Sequence, residues 1–168
     1  GAVGARPHPR SPGSGHRHVI RLLVATTNPG KVRELVPILA DLGYEPCGLD
    51  DFDDFPPAIE DGETFAQNAE KKARHYGQLA DIPVLADDSG LEVEALGGEP
   101  GVRSARYAGD DATDSDNNAL VLRRLEGVTD RRARFVCALC LIEPGHPPLA
   151  VTGTCEGTLL EAPHGTGG

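Results

Sequence analysis

Apolar and polar positions along the chain divide it into a short series of strands and helices. Ile20, Leu22, Leu23 and Val24 form an apolar run over residues 19–25 that reads as a buried strand and breaks at Thr26-Thr27-Asn28-Pro29-Gly30-Lys31. Val32, Leu35, Val36, Leu39 and Leu42 follow at helical spacing and give one buried stripe. Pro37 interrupts that stripe without an N–H for the ladder, which predicts a kink, since a straight helix would lose roughly 3 kcal/mol there. Gly43 is a natural stop. A second helix is predicted over residues 64–79, with Phe65, Ala69, Ala73 and Tyr76 as its apolar stripe and Asn68 and Lys72 on an adjacent face. Pro83-Val84-Leu85 reads as the end of a buried strand. Ala86-Asp87-Asp88-Ser89-Gly90 comes next, and Leu91-Glu92-Val93-Glu94-Ala95 alternates as a half-exposed strand. Asp114-Ser115 is expected to cap a third helix with Leu122 and Leu125 on its inner face, ending at Gly127. Residues 134–142 and 149–155 read as a hairpin turned by Pro144-Gly145-His146-Pro147-Pro148. This order predicts an α/β or α+β domain on a mixed sheet.

Composition bounds what such a domain can do. A chain of 168 residues fits one domain with a real core. Residues 1–18, rich in Gly, Pro, Arg and His without periodicity, read as a tail ahead of a domain over 19–168. No apolar run is long enough to span a membrane or resembles a secretory signal, so a cytoplasmic protein is expected. With 26 acidic against 16 basic residues the formal charge is −10, which disfavours nucleic acid and anionic membranes as partners. An anionic substrate must then be met by a local basic cluster or a bound cation. Cys47, Cys137, Cys140 and Cys155 read as reduced, buried small residues. Cys137 and Cys140 have C-x-x-C spacing, but on a strand positions three apart face opposite ways, so no metal site is expected there.

Three stretches carry candidate chemistry. Asp87 and Asp88 should point to opposite sides if the strand persists, so only one can face a shared site, where a carboxylate offers magnesium the hard oxygen it prefers. The same Asp-Ser-Gly stretch also suits a polar turn. Thr26 to Lys31, leading from strand to helix, is either an anion cradle of backbone N–H groups plus the Lys31 ammonium or an ordinary turn with a solvated lysine. It is not a Walker A loop, which needs more glycine and a Lys-Ser/Thr pair. Asn68 and Lys72 are either nucleotide-phosphate contacts or exposed helix surface. Arg106, in Ser104-Ala105-Arg106-Tyr107, is either a phosphate contact or part of an ion pair.

Taken in order, these blocks resemble the non-canonical purine nucleoside triphosphate pyrophosphatases, the inosine/xanthosine triphosphatase family. The likeness is carried by the stretch from Ala25 to Leu35, by Thr64-Phe65-Ala66-Gln67-Asn68-Ala69 with Lys72-Ala73-Arg74, and by Ala86-Asp87-Asp88-Ser89-Gly90-Leu91. Leu96-Gly97-Gly98 with Pro100-Gly101, Ser104-Ala105-Arg106-Tyr107, and Gly165-Thr166-Gly167-Gly168 extend it. The resemblance implies an elongated mixed sheet flanked by helices, two lobes around a cleft, and a homodimer. It implies magnesium-dependent hydrolysis of ITP, dITP or XTP to the monophosphate and pyrophosphate, cleansing the nucleotide pool. By position, it implies that Thr26, Thr27, Asn28, Pro29, Gly30 and Lys31 hold the triphosphate and that Asp88 is metal ligand and proton acceptor. Glu60 falls at a second metal carboxylate, Ser89 at a substrate contact, and Asn68 and Lys72 along the phosphate channel, Lys72 with a catalytic role.

In that family the glycine block is followed by Phe-Gly-Tyr-Asp-Pro and later Ser-His-Arg segments that help recognise the base. This chain ends at Gly168 and contains no methionine, so the expectation is a trimmed chain with its base-recognition residues beyond Gly168. Two alternatives stand beside the leading one. One is a Maf-type pyrophosphatase acting on modified or pyrimidine triphosphates; the other is a non-catalytic nucleotide-binding module.

Overall fold

The computed structural model describes residues 19–52 and 55–165, so the tail expected at 1–18 and the last three residues of the glycine block lie outside the described residues. Eight main elements follow in order: β1 (Ile20–Ala25), α1 (Pro29–Asp41), β2 (Tyr44–Cys47), α2 (Phe65–Ala80), β3 (Val84–Val93), α3 (Asp114–Arg124), β4 (Arg132–Ile142) and β5 (Leu149–Thr158). Short 3₁₀ turns occupy Leu49–Asp51, Glu94–Leu96 and Gly101–Arg106. The strands form one mixed sheet in the order β2-β1-β3-β4-β5. β1 runs parallel to both β2 and β3, whereas β3, β4 and β5 are successively antiparallel.

Hydrophobic burial assigns the helices to the sheet. Leu35 and Leu39 of α1 pack with Leu22, Val24, Leu85 and Leu141 on one face. The α2 stripe of Phe65, Ala69, Ala73 and Tyr76 packs with Leu23, Ala25, Val84 and Ala86 on the other. Every residue of that α2 stripe is buried, as its spacing predicts. A third cluster joins Val121 and Leu125, at the end of α3, to Val93 and Ala133.

Several expectations change. Asp87-Asp88-Ser89-Gly90 is not a turn but the middle of β3, because β4 pairs with it without a break, Asp87 opposite Leu139 and Asp88 opposite Ala138. A continuous ladder satisfies more backbone groups than a local Asx turn could. Gly90 is needed there for contact: a Cβ would lie 2.3 Å from Ser104 Oγ, which itself bonds the Leu91 N–H at 2.9 Å. The half-exposed strand expected at 91–95 is the end of this same strand, which stops at Val93 and turns at Glu94.

Helix α1 continues through Pro37 to Asp41, and Leu42 is its exposed C-cap rather than part of the buried stripe. β2 was not apparent from Tyr-Glu-Pro-Cys; it is fixed by parallel pairing to β1 once α1 returns the chain. The cap of α3 is Thr113, not Asp114 or Ser115, and its hydroxyl and the Asp116 carboxylate form a reciprocal box. Cys140 and Cys47 are buried, but Cys137 is exposed because alternation along β4 turns it to the opposite face from Cys140, and Cys155 because β5 is exposed along its whole length.

Candidate active site

From β1 the chain leaves through α1 to a neighbour on one side, β2, then returns through α2 to the other neighbour, β3. Since α1 and α2 cover opposite faces, the carboxyl end of β1 is a topological switch point, where open α/β sheets leave a crevice for ligands. β1 ends at Ala25, paired with Ala86, so Asp87 and Asp88 lie on the part of β3 that runs on past it. The loop from Thr26 leaves from the same edge.

The two carboxylates separate as alternation requires. Asp87, 2% exposed, pairs with the Lys31 ammonium from the start of α1. Asp88 turns toward α2, where Asn68 Nδ2 donates to its Oδ2 at 3.0 Å. Glu60 and Lys72 complete that side, with Lys72 Nζ 3.0 Å from Glu60 Oε1 and donating to the Asp87 backbone oxygen at 2.9 Å. Burial pushes the Asp88 carboxyl above its ordinary range, opposed by the Asn68 hydrogen bond; the nearby Glu60 charge raises it further, while Lys72 and the Ser89 N–H pull it down.

The structure therefore brings Asp88, Glu60, Asn68 and Lys72 together and sets Lys31 against Asp87 on the other side of the strand. Within the expected cradle, Asn28 Oδ1 accepts from the N–H groups of Gly30 at 2.8 Å and Lys31 at 3.3 Å, and Thr26 Oγ1 accepts from Asn28 N at 3.2 Å. Pro29 occupies the first helical turn, where its missing N–H costs nothing. Thr27, Asn28 and Pro29 are exposed, and Thr26 and Gly30 are half-buried beside the carboxyl end of β1. Ser89 shares the strand face of Asp87 by alternation and is paired with Cys137.

Asn68 is 1% exposed rather than part of a solvated helix face, because the loop before α2 folds over it: Gly62 N–H donates to its Oδ1 at 2.7 Å. Arg106 forms no ion pair among the described residues; its Nη2 donates to the Glu60 backbone oxygen at 3.2 Å. Gly62 and this use of Arg106 were missed, and only the glycine two residues after Glu60 hinted at a close approach.

The donor set suits magnesium. Among the described residues no group of three or more His, Cys, Asp or Glu side chains is arranged to hold an ion. Two carboxylates is what magnesium usually takes from a protein when phosphates and water complete its shell. Glu60 beside a partly buried Asp88 is also a pair of like charges that a cation would relieve.

Residues 22–168 match the sequence model of the Ham1 family. The chain belongs to the Ham1 family. Proteins named dITP/XTP pyrophosphatase from Exiguobacterium sp., Syntrophobacter fumaroxidans and Geobacillus kaustophilus are 52%, 51% and 51% identical over 89%, 88% and 88% of this chain. The aligned part spans 76%, 63% and 73% of their respective lengths. Among solved structures, a HAM1 protein from Coxiella burnetii superposes with a TM-score of 0.82 at 38% identity, over 89% of this chain and 78% of that one. The Staphylococcus aureus Ham1 protein gives 0.80 at 36% identity, over 88% and 76%. The family resemblance read from the ordered blocks and the mixed helix-flanked sheet are thereby borne out. Among the described residues no helix is long and apolar enough to cross a membrane.

Proposed function

We propose that this Ham1-family chain is a nucleoside triphosphate pyrophosphatase that hydrolyses dITP, ITP and XTP to the monophosphate and pyrophosphate. The observation that carries the reading is Asp88: a carboxylate of raised proton affinity at the topological switch point, beside Glu60 and Lys72, in a chain about half identical to proteins named dITP/XTP pyrophosphatase. The formal charge of −10 supports free nucleotides over polynucleotides as the substrate class.

Water attacks the α-phosphorus; a new P–O bond forms there, the bridging bond to the β-phosphate breaks, and its electron pair leaves with pyrophosphate. Glu60 and Asp88 would hold Mg²⁺, which supplies neutralisation of the phosphate oxygens and polarisation of the nucleophile. Asp88, fixed by Asn68 and the Ser89 N–H, orients the attacking water and accepts its proton. Lys72, whose Nζ reaches the Glu60 carboxylate and the Asp87 backbone oxygen, stabilises charge that develops on the phosphate oxygens. The loop from Thr26 to Lys31, at the carboxyl end of β1, carries the outer phosphates; for this the Asn28 cap yields its Gly30 and Lys31 amides.

A panel of dITP, ITP, XTP, ATP, GTP, dTTP and UTP with Mg²⁺ tests the reading. Pyrophosphate release at least about tenfold faster from the first three is expected, a margin of about 1.4 kcal/mol in transition-state binding. Equal turnover of all seven, or preference for dTTP and UTP, would overturn it. Binding of all of them with no pyrophosphate released would make the chain a nucleotide-binding module instead.

A further inference from the structure

Asn68 has its side chain committed at both ends. Its Oδ1 accepts from the Gly62 N–H at 2.7 Å, and its Nδ2 donates to Asp88 Oδ2 at 3.0 Å. The amide orientation follows from its partners, since only the oxygen can receive an N–H and only the nitrogen can donate to a carboxylate. At 1% exposure the group has no open path to a phosphate. Gly62 seats on it closely, so that a Cβ there would lie 2.6 Å from Asn68 Oδ1 and 3.0 Å from Gln67 Cβ.

The rest of the loop is fastened to the same helix end. Glu63 N–H donates to Gln67 Oε1 at 2.8 Å, and Thr64 Oγ1 accepts from Gln67 N at 3.2 Å as the helix cap. From the other direction, Arg106 in the Gly101–Arg106 turn holds the Glu60 carbonyl. Glu60 sits on a loop, a poor platform for a ligand, yet its backbone is held from both sides.

We infer that Asn68 is a positioning residue for the two metal carboxylates rather than a phosphate contact: its amide bridges the Glu60 loop to Asp88 and sets their separation, with Gly62 as the seat and Arg106 as the second clamp. This rests on the pyrophosphatase reading, but the bridge itself is testable without turnover. Partners one bond removed from a metal ligand typically change metal affinity or activity by 10–100-fold when lost.

Two measurements decide it. In metal-free protein, amide hydrogen exchange at Gly62 is expected to be protected in the wild type and to approach the unprotected rate in Asn68→Ala. In the turnover assay, Asn68→Ala and Gly62→Ala should each raise the half-saturating Mg²⁺ concentration at least about tenfold, with KM for dITP at saturating Mg²⁺ changed less than about threefold. Asn68→Asp keeps the acceptor for Gly62 and loses the donor to Asp88, so it should retain the Gly62 protection that Asn68→Ala loses. Gly62→Ala deletes no side chain of the site but displaces the Asn68 amide, and serves if Asn68→Ala does not fold. An unprotected Gly62 amide in the wild type would overturn the bridge. So would a rise in KM with the Mg²⁺ requirement unchanged, the signature of a phosphate contact. If the wild type hydrolyses no nucleotide, the pyrophosphatase reading fails and the exchange data alone judge the bridge.

Discussion

Adjacent carboxylates on β3 meet opposite fates. Asp87 is buried against the α1 face and directly paired with the Lys31 ammonium. Asp88 looks toward α2, is less buried, and has a neutral amide and a backbone N–H as its hydrogen-bond donors, with another carboxylate nearby. The first arrangement is a compensated charge, which holds the start of α1 against the sheet. The second leaves a partly buried negative charge without a cation bonded to it among the described residues, and burial first, then the Glu60 charge, raises its proton affinity. A site that must receive a cation and a proton is better built from the second kind. One residue of strand alternation thus separates a structural acid from a working one.

The difference between the two carboxylates is largest in turnover. Asp88→Asn should lower kcat by about 10²–10⁴-fold, the usual worth of a positioned general base, with circular dichroism unchanged; a loss below tenfold would mean the working carboxylate lies elsewhere. Next in size is the cost of stranding Asp87. Lys31→Met leaves a buried carboxylate unpaired and should destabilise by roughly 2–3 kcal/mol in urea unfolding, below the range for wholly buried pairs because the Lys31 side chain is 28% exposed. Asp87→Asn, which removes the buried charge itself, should cost less; the reverse order would contradict the assignment of Asp87 as the compensated acid.

Gly90→Ala places a Cβ against Ser104 Oγ and the Gly101 carbonyl oxygen, where a built Cβ would lie 2.9 Å away. It should destabilise by about 1–3 kcal/mol, as overpacking does, without touching the α2 side of the site. The smallest effect is electrostatic. A folded-state carboxyl raised above its unfolded value binds protons more tightly in the folded protein, so ionised Asp88 subtracts stability at neutral pH and ceases to do so as pH falls through the raised value. In metal-free protein Asp88→Asn should therefore melt at or above the wild-type temperature at pH 7.5, and the difference should shrink toward pH 4. A gap that widens on acidification would contradict a raised Asp88.

Much of this was readable from residue order. The α2 stripe, the β4–β5 hairpin and the β1-loop-α1 unit follow from periods of 3.6 and 2 and from Asn28-Pro29-Gly30 as a helix start. The opposition of Asp87 and Asp88 follows from alternation alone. Local chemistry misled where tertiary pairing decided: Asp-Ser-Gly favours a turn until β4 supplies the ladder, and Tyr-Glu-Pro-Cys is too short to read as a strand without β1. Asn68 looked exposed because helix periodicity knows nothing of a loop folding back over it. Arg106 lies far from Glu60 in sequence, and its bond to a main-chain oxygen has no side-chain signature.

Where oxygen from water ends up distinguishes attack at the α-phosphorus from attack at an outer phosphate. Hydrolysis of dITP in H₂¹⁸O with Mg²⁺, followed by ³¹P NMR, should place the label in the nucleoside monophosphate and leave the released pyrophosphate unlabelled. Label in the pyrophosphate, or orthophosphate as the first product, would contradict attack at the α-phosphorus and with it the roles assigned to Asp88, Glu60 and Lys72.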